Sequence, residues 1–143
     1  MHVERKARIW IGIAAINGLM AVGAGAFGAH FLESRLDPRA AHTFELAARY
    51  QMYHSLALLG ISWLICNRSS RIVSAAAMCM LVGIVLFSGS LYGLSLMGWR
   101  WLGPVTPIGG AFLLLGWLLL TIGALKPSRS ALSGTGQVSI QKP

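Results

Sequence analysis

The sequence predicts an all-α integral membrane protein, a four-transmembrane-helix bundle with both termini inside and an amphipathic helix between its first two spans. Three observations predict it. Hydrophobic residues make up 55% of the 143 residues, only 11% are charged, and the mean hydropathy is +0.65, whereas about a quarter of a soluble domain is charged. The apolar residues gather into four runs approaching the roughly 20 residues that a helix rising 1.5 Å per residue needs to cross a hydrocarbon core. The 12 Lys and Arg, against 4 Asp and Glu for a formal net charge of +8, fall between those runs, where they suit a membrane surface better than nucleic acid. This composition excludes a disordered chain, a disulfide scaffold and a catalytic domain rich in charge.

The first span runs from Ile9 to about Ala29, interrupted by Asn17 and several glycines. The connection after it carries its own helix: Asp37 is an N-cap and Pro38 the first helical residue. In that helix His42, Glu45 and Arg49 share one face and Ala41, Phe44 and Ala48 another, so it is amphipathic and suited to the membrane surface or to crossing the bundle. It feeds the second span, Tyr50 to Cys66, without a break. The five residues Asn67-Arg68-Ser69-Ser70-Arg71 form a tight charged turn into the third span, Ile72 to about Met97. Two tryptophans, Trp99 and Trp101, lie in the next connection and suit the headgroup level. Thr106-Pro107 repeats the cap-then-proline signature before the fourth span, Ile108 to Leu125. Residues 1–125 are therefore expected to form the transmembrane domain, and 126–143, rich in Ser, Gly and basic residues, a disordered cytoplasmic tail.

Orientation follows from Lys and Arg. Arg5, Lys6 and Arg8, then Arg68 and Arg71, then Lys126, Arg129 and Lys142 lie on one side; Arg35, Arg39, Arg49 and Arg100 lie on the other. The expectation is a multi-pass protein of the cell inner (plasma) membrane with both termini cytoplasmic. A rival reading is a secretory signal cleaved near Ala24-Gly25-Ala26. Its apolar stretch of about 18 residues exceeds the usual signal core of roughly 7–15, and cleavage would discard a small-residue face.

Helices in lipid associate through close packing of small residues and through hydrogen bonds. Ala21, Gly25 and Ala29 recur at four-residue spacing, Gly89 and Gly93 form a GxxxG, and Gly109, Gly116 and Gly123 form a heptad row. Each row is expected to bring two backbones together, chiefly within the monomer. The glycines of residues 23–28 lack the lysine and hydroxyl residue of a phosphate loop. Cys66 and Cys79 read as reduced, buried small side chains.

Polar groups within membrane helices are costly and tend to mark function. With this topology His30, Tyr50, Gln51, His54, Ser88, Ser90, Tyr92 and Thr106 all fall in the outer half of the membrane. Two imidazoles from antiparallel helices at similar depth can hydrogen-bond, relay protons or ligate a metal or haem. Histidines that fix helix register satisfy the same pattern. His42 reads as solvated, Asn17 as an interhelical hydrogen-bonding residue, and at least one of Ser88 and Ser90 as returning its hydroxyl to the preceding turn. No paired carboxylates lie in the spans, and neither HExxH nor CxxC is present. No catalytic residue, metal or cofactor is expected.

Gly25-Ala26-Phe27-Gly28-Ala29-His30, Tyr50-Gln51-Met52-Tyr53-His54, Leu86-Phe87-Ser88-Gly89-Ser90-Leu91-Tyr92, Thr106-Pro107-Ile108-Gly109-Gly110 and Gly116-Trp117 stand in order along the chain. Together they resemble domain-of-unknown-function family 423, small bacterial inner-membrane proteins of the UPF0382 type, which also includes the eukaryotic transmembrane protein 256. The resemblance covers roughly Ile9 to Leu125. It implies an integral membrane protein of about four helices with no established activity, and its motifs coincide with the outer-half polar cluster.

Two readings of function stand. One is a non-enzymatic structural or accessory membrane protein whose polar cluster is architectural, with the lipid bilayer and either a homo-oligomer or a larger membrane complex as partners, and no nucleic acid. The other is a small lipid- or quinone-like ligand-binding or transport protein with a polar site in the outer half of the bundle. A haem- or quinone-linked redox protein is a third variant, which an absorbance spectrum tests.

Overall fold

The computed structural model describes residues 2–32, 34–67 and 70–126. Among these the chain is helical: α1 (His2–Phe27) continues into a π-helical turn (Gly28–Leu32), followed by α2 (Pro38–Asn67), α3 (Arg71–Met97), a 3-10 turn (Arg100–Leu102) and α4 (Val105–Leu125). The expected disordered tail, apart from Lys126, lies outside the described residues, as do Arg68 and Ser69 of the tight turn.

Three stretches, Val3–Leu32, Arg71–Met97 and Arg100–Leu125, are long and apolar enough to cross a membrane. α2 is the exception. The expected amphipathic helix and second span are one unbroken helix, and its start is as expected: Asp37 Oδ1 accepts the amides of Arg39 and Ala40 at 3.0 and 3.1 Å. Glu45 and Arg49 pair on its exposed face, while Phe44 and Ala48 are buried. Gln51, His54, Ser55 and Ser62 lower the apolarity of its later half, yet all four are buried. Lying between α1 and α3, α2 turns its polar groups toward other helices rather than toward lipid.

The extensive interfaces are those of α1 with α2, α2 with α3 and α3 with α4. The helices pack in chain order, each antiparallel to the last, and α1 and α4 share no such interface, so the expected bundle is not closed into a ring. Leu58, Ile61 and Ile65 of α2 and Val73, Ala76, Ala77 and Met80 of α3 form the core, joined by Ala7, Trp10 and Ala14 of α1 and Leu113 of α4.

Glycine sets the closest interface. The heptad row on α4 lies wholly against α3: a β-carbon at Gly109 would meet the backbone of Leu86 and Phe87, one at Gly116 would lie 2.6 Å from Met80 Cγ, and one at Gly123 2.7 Å from Val73 Cγ2. Gly83 answers from α3 by admitting Leu113. The other two rows depart from expectation. Ala14, Gly18 and Ala21 of α1 and Gly28 of the π-helical turn face α2, with Gly18 against Ser55 and Gly28 against Phe44, whereas a β-carbon at Gly25 would meet nothing within 4 Å. Gly89 is equally open, and Gly93 receives Leu102 of the 3-10 turn rather than another spanning helix. Four-residue spacing places residues on one face, but only the neighbour's azimuth decides whether that face is covered.

Two further expectations change. Thr106 is not a cap: α4 begins at Val105, so Thr106 lies in its first turn and its hydroxyl meets Ser90. Pro107 is tolerated there because its missing N–H is among the first-turn donors that no helical carbonyl would accept. Cys66 is exposed near the end of α2 and Cys79 half-buried on α3, both free thiols, so the expectation that both are buried does not hold.

Candidate functional site

The polar residues between the helices form three linked sets. In the first, Asn17 Nδ2 donates to the Ile13 carbonyl at 2.9 Å, leaving Oδ1 to accept from Gln51 Nε2 at 3.4 Å. Gln51 Oε1 in turn accepts the Tyr92 hydroxyl at 2.9 Å. One chain of hydrogen bonds thus crosses α1, α2 and α3. Phe44 covers it, its ring centroid 4.9 Å from that of Tyr92.

The second set joins α3 to α4. Ser90 Oγ donates to the Phe87 carbonyl at 2.9 Å and lies 2.8 Å from Thr106 Oγ1. Thr106 can also reach the Leu102 carbonyl at 3.5 Å. Ser88, two residues away, points elsewhere on the helix. It is 2% exposed and its Oγ has no partner among the described residues.

The third set joins α2 to α4. His54 Nδ1 lies 2.8 Å from the Tyr50 carbonyl, and Trp117 Nε1 donates to His54 Nε2 at 3.2 Å. A carbonyl only accepts, so Nδ1 carries the hydrogen and Nε2 is the acceptor: the two partners select one neutral tautomer. Both ring nitrogens are thereby engaged, and a metal at either would displace a hydrogen bond. Among the described residues no group of three or more His, Cys, Asp or Glu is placed to hold a metal ion.

Beside this third set lies a groove of about 740 Å³, lined by Tyr50, His54, Phe87, Pro107, Gly110 and Trp117 among others. Tyr50 and Phe87 rings approach to 4.7 Å and form one wall. Its walls are aromatic and aliphatic, with Tyr50, Tyr53 and His54 among the lining side chains that carry polar atoms, which suits an apolar or amphiphilic ligand.

Of the eight sequence-selected residues, Gln51 and Tyr92 meet in the first set, Ser90 and Thr106 in the second, and Tyr50 and His54 in the third. Ser88 is buried apart. His30 stays outside: it is exposed in the π-helical turn, makes no side-chain hydrogen bond among the described residues, and does not approach His54. Trp117 is the partner that sequence reasoning missed. Its signal was available, because an indole N–H within an apolar run requires an acceptor. Asn17, read as an interhelical link, is one.

A profile described as "Protein of unknown function (DUF423)" matches residues 24–110. A UPF0382 membrane protein of Staphylococcus epidermidis is 49% identical over 119 residues, covering 83% of this chain and 97% of the relative. One from Staphylococcus saprophyticus is 46% identical over 119 residues, with 83% and 98% covered. Another from Bacillus subtilis is 40% identical over 121 residues, again with 83% and 98% covered. The comparison with solved structures gives no match.

Proposed function

The chain belongs to the DUF423 family of membrane proteins, and on that premise we propose that it is a non-enzymatic structural or accessory protein of the bacterial inner membrane. The observation that carries this reading is the Asn17–Gln51–Tyr92 chain, in which the costliest polar groups of three helices satisfy one another and none is left poised as a nucleophile or base. The proposed topology has four crossings with both termini cytoplasmic. Its support is the antiparallel order: a helix packed between α1 and α3 along its length crosses wherever they cross. The bias of Lys and Arg supplies the direction. α1 and α4, at the ends of the row, each keep a broad apolar face, with Ile16 and Leu19 on one and Leu114 and Leu118 on the other more than half exposed. Such faces suit lipid and a further subunit alike. Purification in mild detergent followed by native mass spectrometry is expected to give a homo-oligomer or a larger complex, and a strictly monomeric, partner-free protein would overturn the reading.

The groove beside His54 and Trp117 favours a second reading, a site for a lipid- or quinone-like molecule entering from the outer leaflet. Its dimensions and aromatic walls suit such a ligand. On this reading His54→Gln abolishes co-purification of an apolar ligand while the protein stays folded. Retention of that ligand by the folded variant excludes the groove.

A further inference from the structure

The end of the molecule that holds the α1–α2 and α3–α4 corners carries another cavity, which shares no lining residue with the His54 groove and is lined by charge. α3 ends at Gly98, whose φ of 65° is left-handed and reverses the chain. Leu102 then seats against Gly93 and anchors the 3-10 turn that carries Arg100. Across from this corner, the first turn of α2 presents Arg39, with Asp37 bound through Oδ1 to the backbone amides. Between the two corners lies a cavity of about 570 Å³, with Arg39 and Arg100 on its wall and Leu91 and Leu94 among its apolar lining.

We propose that this cavity seats the phosphate of an anionic phospholipid between Arg39 and Arg100, with the lipid's glycerol and upper acyl atoms against Leu91 and Leu94. Charge is the first argument. Neither arginine forms an ion pair among the described residues; the arginine of α2 that does is Arg49, with Glu45. Two guanidinium groups face one carboxylate, Asp37, which is already bound to the helix, so the cavity keeps an excess of positive charge. Level is the second argument. Trp99 and Trp101 stack with centroids 6.0 Å apart and are 46% and 68% exposed, the disposition of aromatic rings at a headgroup boundary. Chemistry is the third. A guanidinium presents a planar fork of donors that matches phosphate oxygens, and two forks from separate elements fix the headgroup in place. The lining changes from cationic to aliphatic, as a phospholipid does. This site stands apart from the proposed accessory role and does not depend on it.

The test uses the full chain in nanodiscs made of equal parts phosphatidylcholine and phosphatidylglycerol, with lipid adducts read by native mass spectrometry after transfer to detergent. The wild type is expected to retain phosphatidylglycerol in preference to phosphatidylcholine. Arg39→Gln with Arg100→Gln is expected to lower that preference about 30-fold, from the loss of two cations near the surface at about 1 kcal/mol each. Arg39 and Arg100 are exposed, so the double variant is expected to fold, with circular dichroism as the check. Arg5→Gln with Arg8→Gln, at the opposite end, leaves the preference intact. A double variant that retains phosphatidylglycerol like the wild type overturns the proposal. So does displacement of the lipid by added inorganic phosphate, which would make a soluble anion the ligand.

Discussion

The indole N–H of Trp117 donates to His54 Nε2 at 3.2 Å, and the opposite ring nitrogen of His54 lies 2.8 Å from the Tyr50 carbonyl. One side chain is held by its own helix and by α4, which fixes both its rotation and its tautomer. The neutral Nδ1–H form is therefore expected, and the ¹⁵N shifts of selectively labelled histidine distinguish it from the alternative. A dominant Nε2–H form would mean that Trp117 does not donate to the ring. Trp117→Phe removes the bond but keeps an aromatic side chain, and is expected to cost about 0.6–1.7 kcal/mol, the range for interhelical hydrogen bonds in membranes.

Within the Asn17–Gln51–Tyr92 set, Gln51 bonds to both of the other helices, accepting from Tyr92 and donating to Asn17. Gln51→Leu orphans both partners at once, and is expected to destabilise by about 1–3 kcal/mol. Tyr92→Phe removes one hydroxyl and is expected to cost about 1 kcal/mol or less, with the Gln51 oxygen left unmet. A double-mutant cycle by denaturant titration in micelles isolates the pair. Additive single effects would show that the 2.9 Å bond contributes no coupling.

Glycines that look alike in sequence are expected to respond in opposite ways. Gly109→Ala places a methyl against the backbone of Leu86 and Phe87, which no side-chain rotation relieves, so α3 and α4 must separate. The expected cost is about 1–3 kcal/mol or more. Gly89→Ala meets nothing within 4 Å and is expected to be neutral or to stabilise by up to about 1 kcal/mol, through the better helix propensity of alanine. Thermal unfolding of the two variants in the same detergent checks the contrast, and a similar loss in both would remove the packing argument.

That contrast also marks how far the sequence could be read. Apolar runs reveal α1, α3 and α4 because hydropathy reports what faces lipid, and the Asp37-Pro38 cap reveals where α2 starts because capping is local. α2 falls short of the apolarity of a span for a physical reason: Gln51, His54 and Ser62 are polar residues hidden by neighbouring helices, and a hydropathy sum cannot see neighbours. Counting residues assigns His30, Tyr50, Gln51, His54, Ser88, Ser90, Tyr92 and Thr106 one expected level, but it assigns none of them an azimuth. His30 and His54 share a predicted level, yet the π-helical turn leaves His30 exposed and away from the ring of His54. Trp117 stands in the Gly116-Trp117 motif but not among the site residues, because a tryptophan in an apolar run reads first as bulk and only then as a donor.

Ser88 supplies the last test. Every other buried serine of the described chain returns its hydroxyl to a carbonyl of the preceding turn: Ser55 to Met52, Ser62 to Leu58, Ser90 to Phe87 and Ser95 to Tyr92. Ser88 is equally buried, and its Oγ meets no partner among the described residues. An unmet hydroxyl in an apolar site carries a desolvation cost of about 1–3 kcal/mol, so removing it should recover part of that cost. Ser88→Ala is expected to leave stability unchanged or to raise it by about 1 kcal/mol. Ser62→Ala, which breaks a bond of 2.6 Å in the same core, is expected to lower stability by about 0.5–1.5 kcal/mol. Unfolding both variants in one detergent gives the comparison. If Ser88→Ala costs as much as Ser62→Ala, the hydroxyl has a partner in the membrane, and its buried site is polar rather than dry.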